Sequence, residues 1–504
     1  MELDKSSADI GRRMAKGASW TVGARMAVRL LGFFSTIILA RLLVPSDYGL
    51  IALATLIAAS IEMFGAFNFE VWIIRHPDPD HYHYNTVWTL SAIRGLVGCG
   101  LLLVLAAPAG LFFDDARLEG VVMVLAFSTL LSNLSNVGAV DFAKHLRFDK
   151  EFLILAGSKI GSFLVAVTLA LIFRSYWALV AGIVTGQLIK VVMTYWMHRH
   201  RPRFCVKHWR EVLQFTKWLL LGNFMGFFYN RTDTFVLGKL MSSQMLGLYT
   251  IAHEIANLAS TEIVMPIRKV MLPGYSKLTG DMVRLRKSFA DGLGIIMLIG
   301  MPCAAGVGLV SDPLVRALLG EKWLETIPLI QILAVYGMAS VGMANQSPLL
   351  ISLGHARIMT QLIALGFIIL LPAFTLATIE YGVLGGAWAV GLTNVLLFVI
   401  GIFVTLRKID LPVQAVHTRI WRTVLATIAM AFVVISIQAL QVVQAWWAIV
   451  ELLVCIAAGG VTYVFSVLAL WYGTGRPEGP ETIAMDFLFH RGTDRTLVPQ
   501  AQND

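Results

Sequence analysis

The amino-acid sequence predicts an all-α membrane protein that crosses the bilayer about fourteen times. Composition is the first support: of 504 residues, 57% are hydrophobic and only 14% charged, and the mean hydropathy is +0.73. Soluble proteins carry about 25% charged residues, so this chain lacks the polar surface that water requires. The second support is that apolar runs of about 20 residues, long enough to span a bilayer as a helix, recur along the whole chain.

Apolar runs bounded by charged residues, prolines and glycines define the individual spans. They form two blocks of six spans followed by a final pair. The predicted spans are 18–43, 49–73, 85–112, 119–143, 152–173, 176–197, 211–238, 245–266, 288–310, 325–352, 358–377, 382–406, 420–440 and 446–472.

Loop charge is the third support, and it also orients the helices. With the N-terminus in the cytoplasm, the cytoplasmic loops and tails hold 27 Lys and Arg residues and the opposite loops hold six. Cytoplasmic loops are enriched in these residues, and one missed helix would invert every later loop. We therefore expect both termini in the cytoplasm. The net charge of +9 belongs mostly to this face, next to anionic lipid, so no nucleic-acid partner is expected.

Two similar turns, 198 residues apart, indicate an internal repeat. They lie in "ARLLVPSDYGLIALA" (40–54) and "LGKLMSSQMLGLYTIA" (237–252), where Gly49 matches Gly247. Each turn joins the first and second span of a six-span block. An even number of spans gives both blocks one orientation, as in a parallel repeat about an axis along the membrane normal. Chance similarity of two short interfacial turns is the competing interpretation.

The repeat predicts a carrier with two lobes that open a central cavity to alternate sides. The predicted division is a cytoplasmic N-tail (1–17), an N-lobe (18–198), a basic cytoplasmic linker (199–210), a C-lobe (211–406), two appended helices (407–472) and a cytoplasmic C-tail (473–504).

Four stretches of the chain are similar to a known family. They are "ILARLLVPSDYGLIALA" (38–54), "AKHLRFDKEF" (143–152), "NRTDTFVLGKLMSSQMLGLYTIAHEIANL" (230–258) and "PIRKVMLPGYSKLTGDMVRLRK" (266–287), the last of which looks like a loop after the eighth helix. Together they resemble the Wzx-like polysaccharide flippases of the multidrug/oligosaccharidyl-lipid/polysaccharide (MOP) exporter superfamily, over most of residues 10–410.

The resemblance implies that the protein moves an undecaprenyl-pyrophosphate-linked oligosaccharide from the cytoplasmic to the periplasmic leaflet of the bacterial inner membrane. Such units are assembled into exopolysaccharide, capsule or O-antigen. The implied partners are this lipid-linked glycan and membrane lipids, with the polymerase and chain-length or export proteins of the same pathway as further candidates. No cofactor is expected, and coupling to H⁺, Na⁺ or the membrane potential is left open.

Basic residues inside the spans are candidate substrate ligands, because a charge at the bilayer centre costs about 2.5–3.5 kcal/mol on insertion scales. Arg25 and Arg29 lie four residues apart on one face of the first span, and guanidinium groups match phosphate oxygens. Snorkelling to the interface competes with this interpretation, more strongly for Arg25. Arg94 lines a cavity or forms a structural pair. Arg231 is the fourth candidate, and Asp233 lies on a different face of the same helix.

Acidic residues inside the spans are candidates for ion coupling or for structural pairing, and Asp233 belongs to this group. Glu62 falls at a depth similar to that of Arg29, so we expect a buried ion pair between them. Glu70 lies closer to the cytoplasm. His253 and Glu254 belong to span eight, where a carboxylate could bind a coupling cation or form an interhelical hydrogen bond.

Other intramembrane residues have simpler interpretations. Lys159, Lys190 and Lys217 lie near the cytoplasmic boundary, where snorkelling is the favoured explanation. The aromatic run that includes Phe227 is more typical of packing than of sugar stacking. The four cysteines are far apart and form no CxxC, so they predict neither a disulfide framework nor a zinc site, and we expect no metal-binding residues.

The sequence contains no GxxxxGK[ST], HExxH or GxSxG motif, so we expect a transporter and no catalytic residues. Two other functions remain as alternatives. A multidrug/cation antiporter of the same superfamily predicts cavities rich in acidic residues. A membrane-embedded sugar polymerase or ligase predicts a large outer catalytic loop, whereas the longest outer loop here is about fifteen residues, 311–325.

Overall fold

The computed structural model describes residues 28, 31–64, 69, 72–73, 76, 79–145, 147–440 and 447–489. Helices joined by short turns make up these ranges. They are α1 (Leu31–Leu42), α2 (Pro45–Phe64), α3 (His81–Phe112), α4 (Arg117–Asn133), α5 (Phe148–Phe173), α6 (Trp177–Met197), α7 (Trp209–Leu240), α8 (Ser243–Ala256), α9 (Met282–Leu309), α10 (Thr326–Met343), α11 and α12 (the two parts of Ala356–Lys408), α13 (Val413–Ala439), α14 (Ala448–Gly473) and α15 (Pro480–Phe489).

Nine helices within the described ranges are long and apolar enough to cross a membrane, which confirms the all-α, multi-pass prediction. The number of fourteen stays a prediction. Some predicted spans fall below this criterion for simple reasons: α4 has 17 residues and α8 has 14. The run Ala356–Lys408 counts once, although the non-helical Gly382 (φ 64°, ψ −157°) divides it between the two spans that the sequence predicts there.

Two helices begin four residues earlier than predicted because their N-termini are capped. α2 begins at Pro45, whose fixed φ suits a first helical position, and the Asp47 carboxylate accepts a hydrogen bond from the Val44 amide at 3.3 Å. α3 begins at His81, directly after Asp80. The Asp80 side chain accepts from the His83 amide at 3.0 Å, and the His83 side chain accepts in return from the Asp80 amide.

The segment after α8 is helical, whereas the family resemblance of residues 266–287 predicts a loop there. A π-helical stretch, Ala259–Val264, leads into a helix at Met265–Leu278, twelve residues beyond the predicted end of the span. Tyr275 anchors this helix, because its buried hydroxyl donates to Asn345 Oδ1 at 2.6 Å. One buried aromatic side chain with a satisfied hydroxyl therefore holds an amphipathic segment in place.

Part of the predicted C-tail is also ordered as a helix. Glu481, in the first turn of α15, forms a two-pronged ion pair with Arg422 of α13, with N–O distances of 2.7 and 2.9 Å. The two side chains are only 2% and 4% exposed. A carboxylate and a guanidinium buried together satisfy each other's charge, so this pair fastens the tail to α13.

The helices pack into two compact units. Unit 1 comprises Met1–Ile255, Asp312–Leu333 and Thr360–Thr393, and unit 2 comprises Ala256–Ser311, Ala334–Met359 and Asn394–Asp504. This division follows packing, and the lobe boundaries inferred from the repeat stay a prediction. In unit 1, α5 and α6 approach closely where Gly182 and Gly186 of α6 face Ala166 and Ser162 of α5. In unit 2, Leu285, Phe289 and Leu293 of α9 lie at the centre of the core.

Candidate functional site

A cavity of about 520 Å³ in unit 1 collects two of the predicted arginines, and we call it the Arg94 cavity. It draws residues from α2, α3, α4 and α7, so both predicted halves of the chain contribute to it. The lining residues are Ala59, Glu62, Met63, Arg94, Ser132, Asn133, Gly226, Phe227, Asn230 and Arg231. The charged groups on this wall are therefore two guanidinium groups and one carboxylate.

Arg94 is held in place by α4. Its Nε donates to Asn133 Oδ1 at 2.8 Å, its Nη2 donates to the same oxygen, and its guanidinium lies 5.6 Å from the centre of the Phe69 ring. The approach depends on Gly95, because a Cβ there would lie 2.6 Å from Asn133 Cβ. Asn133 is fixed in turn, since its Nδ2 donates to the Thr129 carbonyl at 2.8 Å. The guanidinium, which carries its N–H donors in a rigid fork, is therefore held at a fixed position on the cavity wall.

Arg231 reaches the cavity from α7 and is solvent-exposed. Asp233, two residues on, accepts a hydrogen bond from the Tyr249 hydroxyl of α8 at 3.0 Å, as expected for a residue on another face of the helix. His253 lies against the same tyrosine, with ring centroids 5.9 Å apart. Asp233 and His253 thus belong to the α7–α8 contact and are not among the residues that line the Arg94 cavity.

Glu62 is exposed on the cavity wall, which it shares with Arg94. Its predicted partner Arg29 lies outside the described residues, as do Arg25 and Glu70, so the predicted ion pair and the basic face of span one stay predictions. The side chain of Lys217 also lies outside the described part of the chain.

Glu254 lines a second cavity in unit 1, of about 260 Å³. Its wall includes Lys159 of α5, which the sequence assigns to snorkelling, and Tyr48 of α2. Lys159 and Glu254 therefore line the same cavity. Of the described residues that line this cavity, Glu254 alone comes from the second predicted half. The cavity contains an amine and a carboxylate, whereas the Arg94 cavity has an excess of positive charge.

The two repeated turns pack against each other in unit 1. A Cβ added to Gly49 would lie 1.8 Å from the carbonyl oxygen of Ser243, and a Cβ added to Gly247 would lie 1.8 Å from that of Pro45. Both pairs are related by the repeat offset of 198 residues. The contact is therefore reciprocal, and it requires glycine on each side because backbone meets backbone. We call these four residues the paired turns.

Two basic residues beside the paired turns, at equivalent positions of the repeat, also bind backbone carbonyls of the other half. Arg41, at the end of α1, donates to the carbonyls of Leu318 (2.7 Å) and Ala317, in the segment that follows α9. Lys239, at the end of α7, donates to the carbonyl of Phe112 (2.7 Å), the last residue of α3. Arg41 and Lys239 are also 198 residues apart. Cations at free carbonyls near helix C-termini are favourable, so each basic residue stabilises the contact between the halves.

Asp115 completes this cluster in the turn between α3 and α4. It accepts hydrogen bonds from Ser243 Oγ at 2.8 Å and from Arg117 Nη2 at 2.7 Å. Burial acts to raise the pKa of the Asp115 carboxyl, but the hydrogen bonds from Arg117 and Ser243 outweigh it and hold the pKa below its usual value. The carboxylate is therefore charged across the physiological range and binds Ser243 throughout it.

Some site residues carry no signal in the sequence. Asn133 and Ser132 are ordinary polar residues in an apolar span, and only their position across from Arg94 gives them a role. Lys159 is identifiable as an intramembrane charge, but its closeness to Glu254 depends on helix packing. Phe227, which the sequence assigns to packing, lines the Arg94 cavity.

Comparison with known proteins places the chain in a family. The family model described as polysaccharide biosynthesis protein matches residues 38–328, more than half of the chain. The chain belongs to this polysaccharide biosynthesis protein family. The lipopolysaccharide biosynthesis protein WzxC of Escherichia coli K12 is 24% identical over 335 residues, which are 65% of this chain and 67% of WzxC. The teichuronic acid biosynthesis protein TuaB of Bacillus subtilis 168 is 22% identical over 461 residues, 90% and 95% of the two chains.

A solved structure of the lipid II flippase MurJ, in an inward closed conformation, has the same fold as this polysaccharide biosynthesis protein. The TM-score is 0.68 with 14% identity, and the match covers 90% of this chain and 99% of MurJ. The predicted resemblance to the Wzx-like polysaccharide proteins is confirmed by the family match and these relatives, and the all-α fold class is confirmed by the match to the MurJ fold.

Proposed function

We propose that this protein flips an undecaprenyl-pyrophosphate-linked oligosaccharide from the cytoplasmic to the periplasmic leaflet of the bacterial inner membrane. The observation that carries the proposal is the Arg94 cavity, where guanidinium groups from the two predicted halves line one wall. Guanidinium forks bind phosphate oxygens in pairs, so Arg94 and Arg231 are suited to a pyrophosphate. The names of WzxC, TuaB and MurJ support a lipid-linked glycan as the cargo class.

The size of the cavity limits what it holds. About 520 Å³ is typical of a small-molecule pocket, so the cavity would hold the charged head of the substrate and leave the polyprenyl chain outside. Phe227 offers an aromatic face for the first sugar. Asn230 adds an amide group that could bind a sugar hydroxyl.

Alternating access follows from the reciprocal contacts. The paired turns lie on the side that the loop charges predict to be periplasmic, and they join the two predicted halves there. We propose that they form the closed periplasmic end of the transport path. Substrate transfer would then require the turns to separate, with the Arg41 and Lys239 contacts breaking together.

The Glu254 cavity is our candidate for coupling to a cation. Within a membrane helix bundle, the Glu254 carboxylate can bind the nearby Lys159 amine in one state and H⁺ or Na⁺ in another. This arrangement is also the one observation that favours the multidrug/cation antiporter as a second function. The Arg94 cavity argues against it, because two guanidinium groups repel cationic drugs.

Reconstituted flipping of a fluorescent polyprenyl-pyrophosphate glycan tests the function, with dithionite reporting the leaflet that holds the label. We expect flipping by the wild-type protein and a loss of at least tenfold in rate for Arg94→Gln and Arg231→Gln. Arg357→Gln, an exposed arginine in the first turn of α11, is the matched control and keeps full activity. Flipping by both cavity variants at the wild-type rate would remove the arginines from the site.

Two further measurements separate the alternatives. Extrusion of a cationic dye without glycan flipping would support the antiporter, and glycosidic bonds made by the purified protein alone would support a polymerase. In cells, a deletion strain should accumulate lipid-linked oligosaccharide on the inner leaflet, and Arg29→Ala should fail to restore export although it inserts normally. Reporter fusions after Arg203 and Arg284 should be cytoplasmic, and a fusion after Ser243 should be periplasmic.

A further inference from the structure

The linker between the predicted halves folds back onto the start of α3 and brings imidazole groups together there, within unit 1. The ring of His83, in the first turn of α3, is 4.1 Å from the ring of His208, and the two rings are nearly parallel at 12°. The ring of His76 is also close to that of His83, with centroids 4.6 Å apart and the planes tilted by 41°. Residues from two distant parts of the sequence therefore form one cluster of three histidines.

A carboxylate lies beside these histidines and brings the number of neighbouring metal-ligating side chains to at least three. One potential ligand atom each from Asp80, His83 and His208 lies within 4.8 Å of the other two. Asp80 Oδ1 is used by the α3 cap, where it accepts from the His83 amide and lies 2.5 Å from His83 Nδ1. A carboxylate has two oxygens, so the cap leaves the second one for another partner.

A buried nitrogen of His76 is an independent sign of a ligand. Within the described part of the chain, His76 Nδ1 is buried and has no hydrogen-bond partner. Burying a polar atom without a partner is costly, and such atoms in native structures call for an explanation. Its position beside His83 places a fourth potential ligand, a third imidazole, next to the three-residue group.

We propose that Asp80, His83 and His208 bind a divalent transition-metal ion of the Zn²⁺ class, with His76 as the fourth ligand. Imidazole nitrogens with one carboxylate are a typical zinc ligand set, and zinc prefers four ligands in a tetrahedron. This differs from the sequence-based expectation of no metal site, which considered only the spacing of the cysteines.

Glu211 supports the role of His208. Its Oε1 lies 3.4 Å from His208 Nδ1, one helical turn further along, so the carboxylate can fix the ring and leave Nε2 for the metal. Carboxylates that orient a ligand histidine in this way are common around zinc.

Binding requires one local movement. The lone pair of an imidazole lies in the ring plane, so two parallel rings cannot both point at one ion. His208 is the more exposed of the two, at 19% against 11% for the side chain of His83, and it is the ring expected to turn. Tetrahedral zinc with bonds of about 2.0 Å holds its ligand atoms about 3.3 Å apart, so the present group would also contract.

The ion would fasten the linker where α7 begins. His208 directly precedes Trp209, the first residue of α7. The linker is already held against α3, because the Arg203 amide donates to Asn85 at 3.0 Å and the Cys205 amide donates to Thr89 at 2.9 Å. A metal bridge from α3 to His208 extends this attachment to the end of the linker and restrains the N-terminus of α7.

Cobalt titration of the full-length protein tests the site, with an affinity tag that contains no histidine. We expect one equivalent of Co²⁺ with the visible absorption of a tetrahedral site, displaced by one equivalent of Zn²⁺. His208→Gln should weaken binding at least tenfold, and Glu211→Gln about tenfold. His145→Gln and His417→Gln, two exposed histidines elsewhere, are the matched controls and should bind like wild type.

The cobalt titration supports or overturns the proposal in either direction, and its result does not depend on flipping activity. Equal affinity in the His208 variant and the controls would mean adventitious surface binding only and would overturn the proposal, as would a spectrum without tetrahedral bands. The His208 position carries the test because, unlike His83, this residue takes no part in the α3 cap.

Discussion

The paired turns provide the sharpest prediction, because the contact is backbone against backbone. In Gly49→Ala, the new methyl group would lie 1.8 Å from the Ser243 carbonyl oxygen, whereas real Cβ contacts are essentially never shorter than 3.0 Å. The turns must therefore separate by roughly 1.2 Å at this point, and no side-chain rotation can relieve the clash. Overpacking of this kind costs about 1–3 kcal/mol.

That cost falls on the paired form alone, so it changes an equilibrium between paired and separated turns. A bias of about 1–3 kcal/mol corresponds to a change of about 5–150-fold in the population ratio. Gly247→Ala should act equally, because its Cβ would lie 1.8 Å from the Pro45 carbonyl oxygen. Equal effects from residues so far apart in sequence would be a direct consequence of the reciprocal contact.

Electron–electron distance measurements between nitroxide labels would follow the separation. Val44 and Ser242, both exposed and related by the repeat, are the labelling positions, in a variant without the four native cysteines. We expect the short-distance population to fall in Gly49→Ala. Gly100→Ala is the control, because among the described residues nothing lies within 4 Å of a Cβ added there. Identical distance distributions in wild type and Gly49→Ala would refute the reasoning.

Three other predictions concern charged groups. Lys239→Gln should lengthen the same label distance less than the glycine variants do, since a cation at a helix C-terminus contributes about 0.3–1 kcal/mol and this one is partly exposed. Hydrogen bonds hold the pKa of the Asp115 carboxyl below its usual 3.8. The stabilisation that this carboxylate gives to the closed turns is therefore present above pH 3.8 and is lost only as the pH falls through the lowered pKa. Opening of the turns between pH 8 and pH 5 would contradict this. Glu481→Gln leaves a buried guanidinium without its counter-charge and should cost about 3–5 kcal/mol, lowering the thermal unfolding temperature. Glu478→Gln, in an exposed ion pair, is its control and should cost less than about 1 kcal/mol.

Helix positions were largely predictable because apolar length is a local property of the chain. The errors lie where polar contacts outweigh hydropathy. Capping by Asp47 and Asp80 starts α2 and α3 earlier than the apolar pattern suggests. Tyr275 and Glu481 hold polar segments as helices through partners that are distant in sequence, and hydropathy contains no information about such partners.

Candidate charges were also accessible from the sequence, since an arginine within an apolar span is costly wherever it lies. This reasoning selected Arg94, Arg231 and Glu254 one at a time. It could not show that the two arginines share a wall with Asn133, or that Glu254 and Lys159 line the same cavity. Those neighbours depend on how helices rotate about their axes and cross, which many small packing contacts settle together.

Residue order alone accounts for the membrane class, for the approximate helices and for the 198-residue repeat, because each depends on composition or local pattern. Three-dimensional packing accounts for the contact between the repeated turns, for the shared Arg94 cavity and for the histidine cluster beside the linker. Each of these brings together groups that lie more than a hundred residues apart, and whether such groups meet depends on the whole arrangement of helices.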